Sequence, residues 1–121
     1  MTINHGKQLH SMRAEVVATP QGTTLLTVPK KSFIYDVIFD NKNNIPATFY
    51  KDCPISVGVA GNQEYITKKT DLSKSRVTRA ALGDGAGFQS EETVLRVFWH
   101  YEGKGHPTSG LIQVLVLFDL S

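Results

Sequence analysis

The feature that most restricts what this chain can fold into is an alternation of apolar and polar residues with a period of two. Successive side chains of a strand point to opposite faces, whereas helices repeat every ~3.6 residues, and almost no segment here shows a helical period. The segment from Phe33 to Asp40 is the clearest strand. It places one set of side chains, Phe33, Tyr35, Val37 and Phe39, opposite a second set, Ile34, Asp36, Ile38 and Asp40. The pattern predicts an all-β chain.

Five further segments have strand character, and turn residues separate them. They are residues 9–17, 23–28, 55–59, 93–101 and 111–120. Short strands at this spacing in a chain of 121 residues predict an antiparallel two-sheet sandwich with jelly-roll-like connections. The polar start of the chain predicts an extended N-terminal arm over residues 1–8, followed by a single β-sandwich domain over residues 9–121.

One long segment, residues 63–87, has no strand pattern. We expect an irregular loop there, with one helical turn over residues 64–67 and a flexible glycine-rich stretch over residues 83–87. Its basic residues fall within the twelve residues 68–79, where the one acidic residue is Asp71; they are Lys68, Lys69, Lys74, Arg76 and Arg79. They form either a solvated loop or a contact with an acidic protein surface, because interfaces favour arginine. No aromatic residue lies among them to stack on bases and the net charge is only +2, so we expect no nucleic-acid partner.

The last strand, from Leu111 to Leu120, is apolar on both faces. Such a strand either lies centrally between two layers or has its outer face covered by another subunit. We expect the second arrangement. The face assigned to an oligomer interface carries Ile112, Val114, Val116 and Phe118.

Residues suited to catalysis or metal binding are few and scattered. The single cysteine, Cys53, has no reactive-thiol signature around it, and the four histidines lack the spacing of a zinc motif. Asp36 and Asp40 share a strand face but stand about 13 Å apart. The glycine-rich stretch lacks the Lys-Ser/Thr ending of a phosphate-binding loop. We therefore expect no catalytic residues, no metal, no cofactor and no enzymatic activity.

A series of short motifs follows one another in a characteristic order. They are Thr27-Val28-Pro29, Tyr35-Asp36-Val37, Ile55-Ser56-Val57-Gly58, Thr70-Asp71-Leu72-Ser73, Val77-Thr78-Arg79, and Ser109-Gly110 before the terminal valine-rich strand. In this order they resemble the small virion proteins of tailed bacteriophages, namely decoration (cement) proteins and related jelly-roll-like head or tail modules. The resemblance covers roughly residues 23–119. This sequence departs from the family pattern at Asp52-Cys53-Pro54, where a glycine-rich segment usually leads into the fourth strand.

The resemblance implies an assembly role on the virion. A cement protein lies on the outside of the capsid, as a homotrimer or homodimer, and bridges major capsid subunits to stabilise the shell. It also implies synthesis in the host cytoplasm, and it gives no reason to expect a membrane partner. We prefer the trimer. The residues expected to contact the major capsid protein lie in the arm and the basic loop: Ile3, His5, Lys7, Leu9, Lys68, Lys69, Lys74, Arg76 and Arg79.

Two alternatives stay open. The first is a tail, baseplate or fibre-anchoring module with the same sandwich architecture. The second is a carbohydrate-binding module, because sandwiches commonly present aromatic side chains to sugars. The candidate stacking residues are Trp99, Tyr101, Tyr35 and Phe39. They alternate with other apolar residues, which favours core packing over sugar binding.

Overall fold

A computed structural model describes residues 8–17, 22–40, 54–72, 75–100 and 111–120, and none of these residues is helical. Within them, no helix is long and apolar enough to cross a membrane. The strands are β1 (Gln8–Val17), β2 (Thr23–Val28), β3 (Ser32–Asp40), β4 (Ile55–Gly58), β5 (Val77–Arg79), β6 (Gly87–Gln89), β7 (Thr93–Trp99) and β8 (Leu111–Leu120). The predicted all-β class is confirmed. The short strand β5 lies inside the segment predicted to be irregular, and β6 begins at the last residue of that segment, Gly87.

The strands form two antiparallel sheets. In the larger sheet β8 pairs with β1 on one side and β3 on the other, and both β5 and β6 pair with the far side of β3. The smaller sheet has the order β2-β7-β4. Buried side chains from both sheets fill the space between them, among them Val28, Ile34, Val37, Phe39, Ile55, Val57, Leu95, Val97, Val114 and Val116. The prediction of a two-sheet sandwich is confirmed.

A bulge in β3 reverses the alternation of its side chains. Ile34 pairs with Phe118 of β8, and Asp36 pairs with the next residue, Leu117. Tyr35 therefore has no counterpart on β8, which is the arrangement of a β-bulge. Because one extra residue is inserted, the side chains before and after Tyr35 change faces relative to a regular strand.

Because of the bulge, the faces on which the side chains of β3 lie differ from those predicted. Ile34, Val37 and Phe39 are fully buried in the core, while Phe33 and Tyr35 are 39% and 43% exposed. The prediction that Phe33 and Tyr35 share a face with Val37 and Phe39 is wrong. Strict alternation holds only on each side of the inserted residue.

The face of β8 predicted to form an oligomer interface lies inside the single chain. Its described side chains are 0%, 0% and 4% exposed, for Val114, Val116 and Phe118 respectively. The side chain of Ile112 is outside the described residues. Because β8 is central in the larger sheet and packs against the smaller sheet on this face, the chain covers these residues itself. Val114, Val116 and Phe118 are core residues, and their assignment to an interface is wrong.

The segment predicted to be an irregular loop is bound to β4 by backbone hydrogen bonds. The amide of Thr67 donates to the carbonyl of Val57 at 2.9 Å, and the amide of Gly83 donates to the carbonyl of Ile66 at 2.7 Å. The helical turn predicted over residues 64–67 is wrong, because these backbone groups pair with neighbouring segments instead. The flexibility of residues 83–87 stays a prediction.

Candidate docking surface

The face of the larger sheet that points away from the smaller sheet, hereafter the outer face, carries several exposed side chains. Phe33 lies at one end of β3 on this face and Ile38 lies nearer the other end. Strand β6 adds Phe88 beside Phe33, and β5 adds Arg79 beside Ile38. The two ends are about 14 Å apart, because the partners of Phe33 and Ile38 on β8 are four residues apart and strand residues rise about 3.4 Å each.

Three aromatic side chains cluster at one end of the outer face. They are Phe33, Tyr35 and Phe88, hereafter the aromatic patch, and they are 39%, 43% and 60% exposed. The ring centroids of Phe33 and Tyr35 are 4.7 Å apart, with an interplanar angle of 44°. Exposed clusters of aromatic side chains are typical of protein interfaces. The alternation of the sequence does not reveal this patch, because it depends on the bulge at Tyr35.

Asp119 of β8 holds the aromatic patch in place through hydrogen bonds. Its side chain is 3% exposed, and its carboxylate accepts two hydrogen bonds. The backbone amide of Phe33 donates to Oδ1 at 3.1 Å, and the hydroxyl of Tyr35 donates to Oδ2 at 2.9 Å. Hydrogen bonds to a buried carboxylate are strong and directional. They hold the Tyr35 ring in one orientation, so the patch is organised before any partner binds.

The same contact changes the acidity of Tyr35. The hydrogen bond to Asp119 raises the pKa of the phenol above its usual value of 10.0, because ionisation would remove the donated proton. Desolvation and the negative charge of Asp119 raise the pKa further. The phenol therefore stays protonated, as a hydrogen-bond donor, throughout the neutral pH range.

Two ion pairs lie at the other end of the outer face. Nε of Arg79 lies 2.8 Å from Oδ2 of Asp36, and Nε of Arg76 lies 3.1 Å from Oδ1 of Asp40. The arginine side chains are 72% and 65% exposed, whereas the aspartates are 17% and 26% exposed. Each guanidinium is therefore held by one carboxylate while most of its surface stays accessible. The sequence does not reveal these pairs, because Asp36 and Asp40 come from a distant strand.

The two described lysines among the predicted contacts lie away from the outer face. Lys68 and Lys69 are exposed, in the segment that is hydrogen-bonded to β4 and not in β5. The amide of Lys69 donates to Oε1 of Glu64 at 3.2 Å. Only the backbone of Leu9, in β1, is described. The predicted contacts outside the described residues are Ile3, His5, Lys7 and Lys74.

The described residues include a hydroxyl–imidazole pair of the type used in nucleophilic catalysis. Oγ of Ser56 is 2.7 Å from Nε2 of His100. Ser56 is fully buried, and its hydroxyl also lies 2.6 Å from the carbonyl oxygen of Gln63, which can only accept. The hydroxyl proton therefore points to Gln63, and the imidazole donates to Oγ. This polarity is the reverse of an activated nucleophile and fits a structural role.

Two other possible sites lack a reactive arrangement. Within the described ranges, no three His, Cys, Asp or Glu side chains are placed to hold a metal ion. A cavity of about 420 Å³ lies against the smaller sheet. Its lining residues are Ala60, Gly61, Gln63, Arg96 and Phe98. The guanidinium of Arg96 donates to the carbonyl of Gly22 at 3.3 Å, so it links β7 to the residue before β2.

The described residues considered for sugar stacking, Trp99, Tyr35 and Phe39, do not come together on the surface. Trp99 is 8% exposed and Phe39 is fully buried, which confirms core packing for both. Tyr35 is exposed, but as part of the aromatic patch. Tyr101 lies outside the described residues.

Chains of three solved structures share this architecture. One, from the cyanophage Pam1 capsid asymmetric unit, matches 100% of this chain and 91% of its own length, with a TM-score of 0.71 and 16% identity. This fold occurs in phage capsids. A chain from the capsid of Ralstonia phage GP4 has a TM-score of 0.60 at 14% identity, covering 94% of this chain and 84% of its own. A chain from the acid-stable capsid of Helicobacter pylori bacteriophage KHP30 has a TM-score of 0.57 at 16% identity, covering 93% and 91%.

The similarity of this chain to the phage capsid chains is a similarity of structure. No protein-family profile matches the sequence, and no curated protein matches it either. At 14–16% identity the three capsid chains establish the fold of this chain. The predicted resemblance to phage virion proteins with a sandwich fold is confirmed at that level.

Proposed function

We propose that this chain is a structural virion protein of a phage, which binds the outside of the capsid and bridges major capsid subunits. The observation that carries the proposal is the match of the whole chain to a chain of the Pam1 capsid asymmetric unit. The outer face supports it, because aromatic and arginine side chains are the types most enriched at interfaces.

The stabilising effect follows from mass action. A protein that binds the assembled shell and not its separate subunits shifts the equilibrium towards the shell. The proposal includes self-association, as a homotrimer or homodimer. An oligomer holds several shell sites at once, and avidity then strengthens a modest contact.

We propose two sets of contacts with the shell. The first is the outer face, with the aromatic patch against apolar surface and Arg76 and Arg79 against acidic residues of the major capsid protein. The second comprises the first nine residues and the lysines of the segment 63–87. Its residues are Ile3, His5, Lys7, Leu9, Lys68, Lys69 and Lys74.

The test measures binding to heads of the encoding phage that were assembled without this protein. Phe88→Ser and Arg79→Glu are each expected to weaken binding about tenfold or more, as for central interface residues. Val94→Ser is the matched control, because Val94 is also an exposed apolar residue, at 40%, but belongs to the smaller sheet. Copies bound per sedimented head are counted by quantitative mass spectrometry.

A second set of measurements tests the arm and the location. Because β1 begins at Gln8, the deletion is limited to residues 1–7 and leaves the strand intact. Reduced occupancy supports the arm as a contact, and unchanged occupancy removes it from the proposal. Wild-type protein that does not bind heads, or that is confined to a few copies at the vertex or tail, contradicts the decoration role.

A further inference from the structure

Strand β1 forms one margin of the larger sheet. It pairs with β8 on one side over its ten residues, and no described strand pairs with its other side. The strand contains no proline, which would interrupt a new ladder. A long strand edge of this kind is a template for pairing with another chain.

The side chains of β1 differ between its two faces. Met12 pairs in register with Val116, a core residue, yet Met12 itself is 43% exposed. The core side of the sheet is thus incompletely covered at this margin. On the outer face, Arg13 and Glu15 are both exposed and occupy neighbouring same-face positions.

Symmetry restricts how β1 pairs with a second copy of itself. Residues directly opposite one another in an antiparallel pair share a face of the sheet. A two-fold axis perpendicular to the sheet preserves faces, so it must pass through a residue position. An axis at Arg13 opposes two arginines, and an axis at Glu15 opposes two glutamates. An axis at Ala14 instead sets Arg13 of each copy opposite Glu15 of the other.

We propose that two copies of this chain pair antiparallel along β1, with the two-fold axis at Ala14. The pairing creates two Arg13–Glu15 contacts between copies on the outer face. On the core side it sets Met12 of each copy opposite Val16 of the other, which buries the exposed thioether. The two larger sheets become one continuous sheet, and the result is a dimer, not a trimer.

The pairing is a property of the chain in solution and does not depend on the capsid role. It nevertheless has a consequence for the proposed function. Both outer faces then belong to one sheet and carry their aromatic patches on the same side. A dimer of this type presents two shell-binding surfaces at once.

Cross-linking tests the register. In a Cys53→Ser background, Ala14→Cys is expected to form a disulfide-linked dimer on mild oxidation, because the two copies of residue 14 face each other at the axis. Ser11→Cys is the matched control on the same strand. Its two copies would lie about 20 Å apart, beyond disulfide reach. Equal cross-linking of the two cysteines overturns the pairing.

A charge exchange tests the ion pairs. Arg13→Glu is expected to weaken dimerisation about tenfold or more, since it opposes carboxylates at two symmetric places. The double variant Arg13→Glu/Glu15→Arg restores the pairing with unchanged composition and net charge. Sedimentation equilibrium measures the dissociation constants, and circular dichroism confirms the fold of each variant.

Two results of the charge exchange overturn the proposal. One is wild-type protein that stays monomeric up to about 1 mM. The other is a double variant that dimerises no more tightly than Arg13→Glu. Because these measurements use no capsid, failure of the dimer is distinguishable from failure of shell binding, which Phe88→Ser and Arg79→Glu probe at other positions.

Discussion

At the scale of single residues, the most consequential side chain on the outer face is the buried carboxylate of Asp119. It joins β8 to Phe33 and Tyr35 of β3 through one hydrogen bond each. Its two acceptor oxygens serve different donors, one from the backbone and one from the Tyr35 hydroxyl. This division lets one residue stabilise the bulge and orient the surface above it.

Replacing Asp119 tests its stabilising role. Asp119→Ala is expected to lower the free energy of unfolding by about 1–3 kcal/mol, because it removes the acceptor of both the Phe33 amide and the Tyr35 hydroxyl. Urea unfolding measures the loss. Glu92→Gln, which neutralises an exposed carboxylate, is the control and should change stability little. Equal stability of the two variants would contradict the anchoring role.

The raised pKa of Tyr35 predicts a stability change at high pH. Because the folded pKa lies above the unfolded value, the stabilisation is fully present below about pH 10 and is lost as the pH rises through the folded pKa. Ultraviolet titration of phenolate absorbance should show Tyr35 ionising above the usual phenol pKa of 10.0. Tyr35→Phe should remove that late step. If it removes an early step instead, the hydrogen bond to Asp119 is not maintained in solution.

At the scale of elements, β4 shows how a short strand is kept buried. All four of its residues are buried, although the smaller sheet reaches it on one edge only. Residues 59–67 cover it, with the carbonyl oxygen of Asn62 packed against the Cα of Gly58. The hydroxyl of Thr67 accepts a further bond from the Val57 amide at 2.9 Å. The long connection is therefore part of the fold.

Gly58 is where this packing leaves no room for a side chain. A Cβ there would overlap the backbone oxygens of Asn62 and Gln63. Gly58→Ala is therefore expected to cost about 1–3 kcal/mol, by overpacking. Gly61→Ala, at a φ of 86° with open space around it, should cost about 1 kcal/mol from backbone strain alone. Thermal unfolding of the two variants, compared with wild type, measures the difference, and a larger loss for Gly61→Ala would contradict the packing.

At the scale of the whole molecule, the surfaces have separate roles. The smaller sheet is partly covered by the chain itself at β4, whereas the larger sheet presents the aromatic patch and the arginines on its outer face. The edge of β1 that no described strand pairs with lies at the margin of that same sheet. Proposed shell binding and proposed self-pairing therefore use different groups, and a dimer could dock without losing its own interface.

Much of the architecture follows from local sequence pattern. The bounds of β2 and β8 are those the pattern predicts, and the other main strands agree to within two residues, because period-two alternation and turn residues act locally. Less of the candidate docking surface can be predicted from the sequence. Arg76 and Arg79 are among the predicted contacts, but Phe33 and Phe88 are not, because nothing in the sequence of a single strand shows the bulge that leaves Phe33 on the outer face beside Phe88.

What the sequence determined by itself is the class of structure: an all-β sandwich whose long strands are set by the spacing of apolar residues. Only the tertiary structure decided which faces are inside. The bulge at Tyr35 exists only because β8 pairs with β3, and the buried face of β8 is chosen by the sheet packed against it. The Asp36–Arg79 and Asp40–Arg76 pairs join residues that are far apart in the chain. Such long-range contacts depend on which strands become neighbours, and residue order alone does not encode that locally.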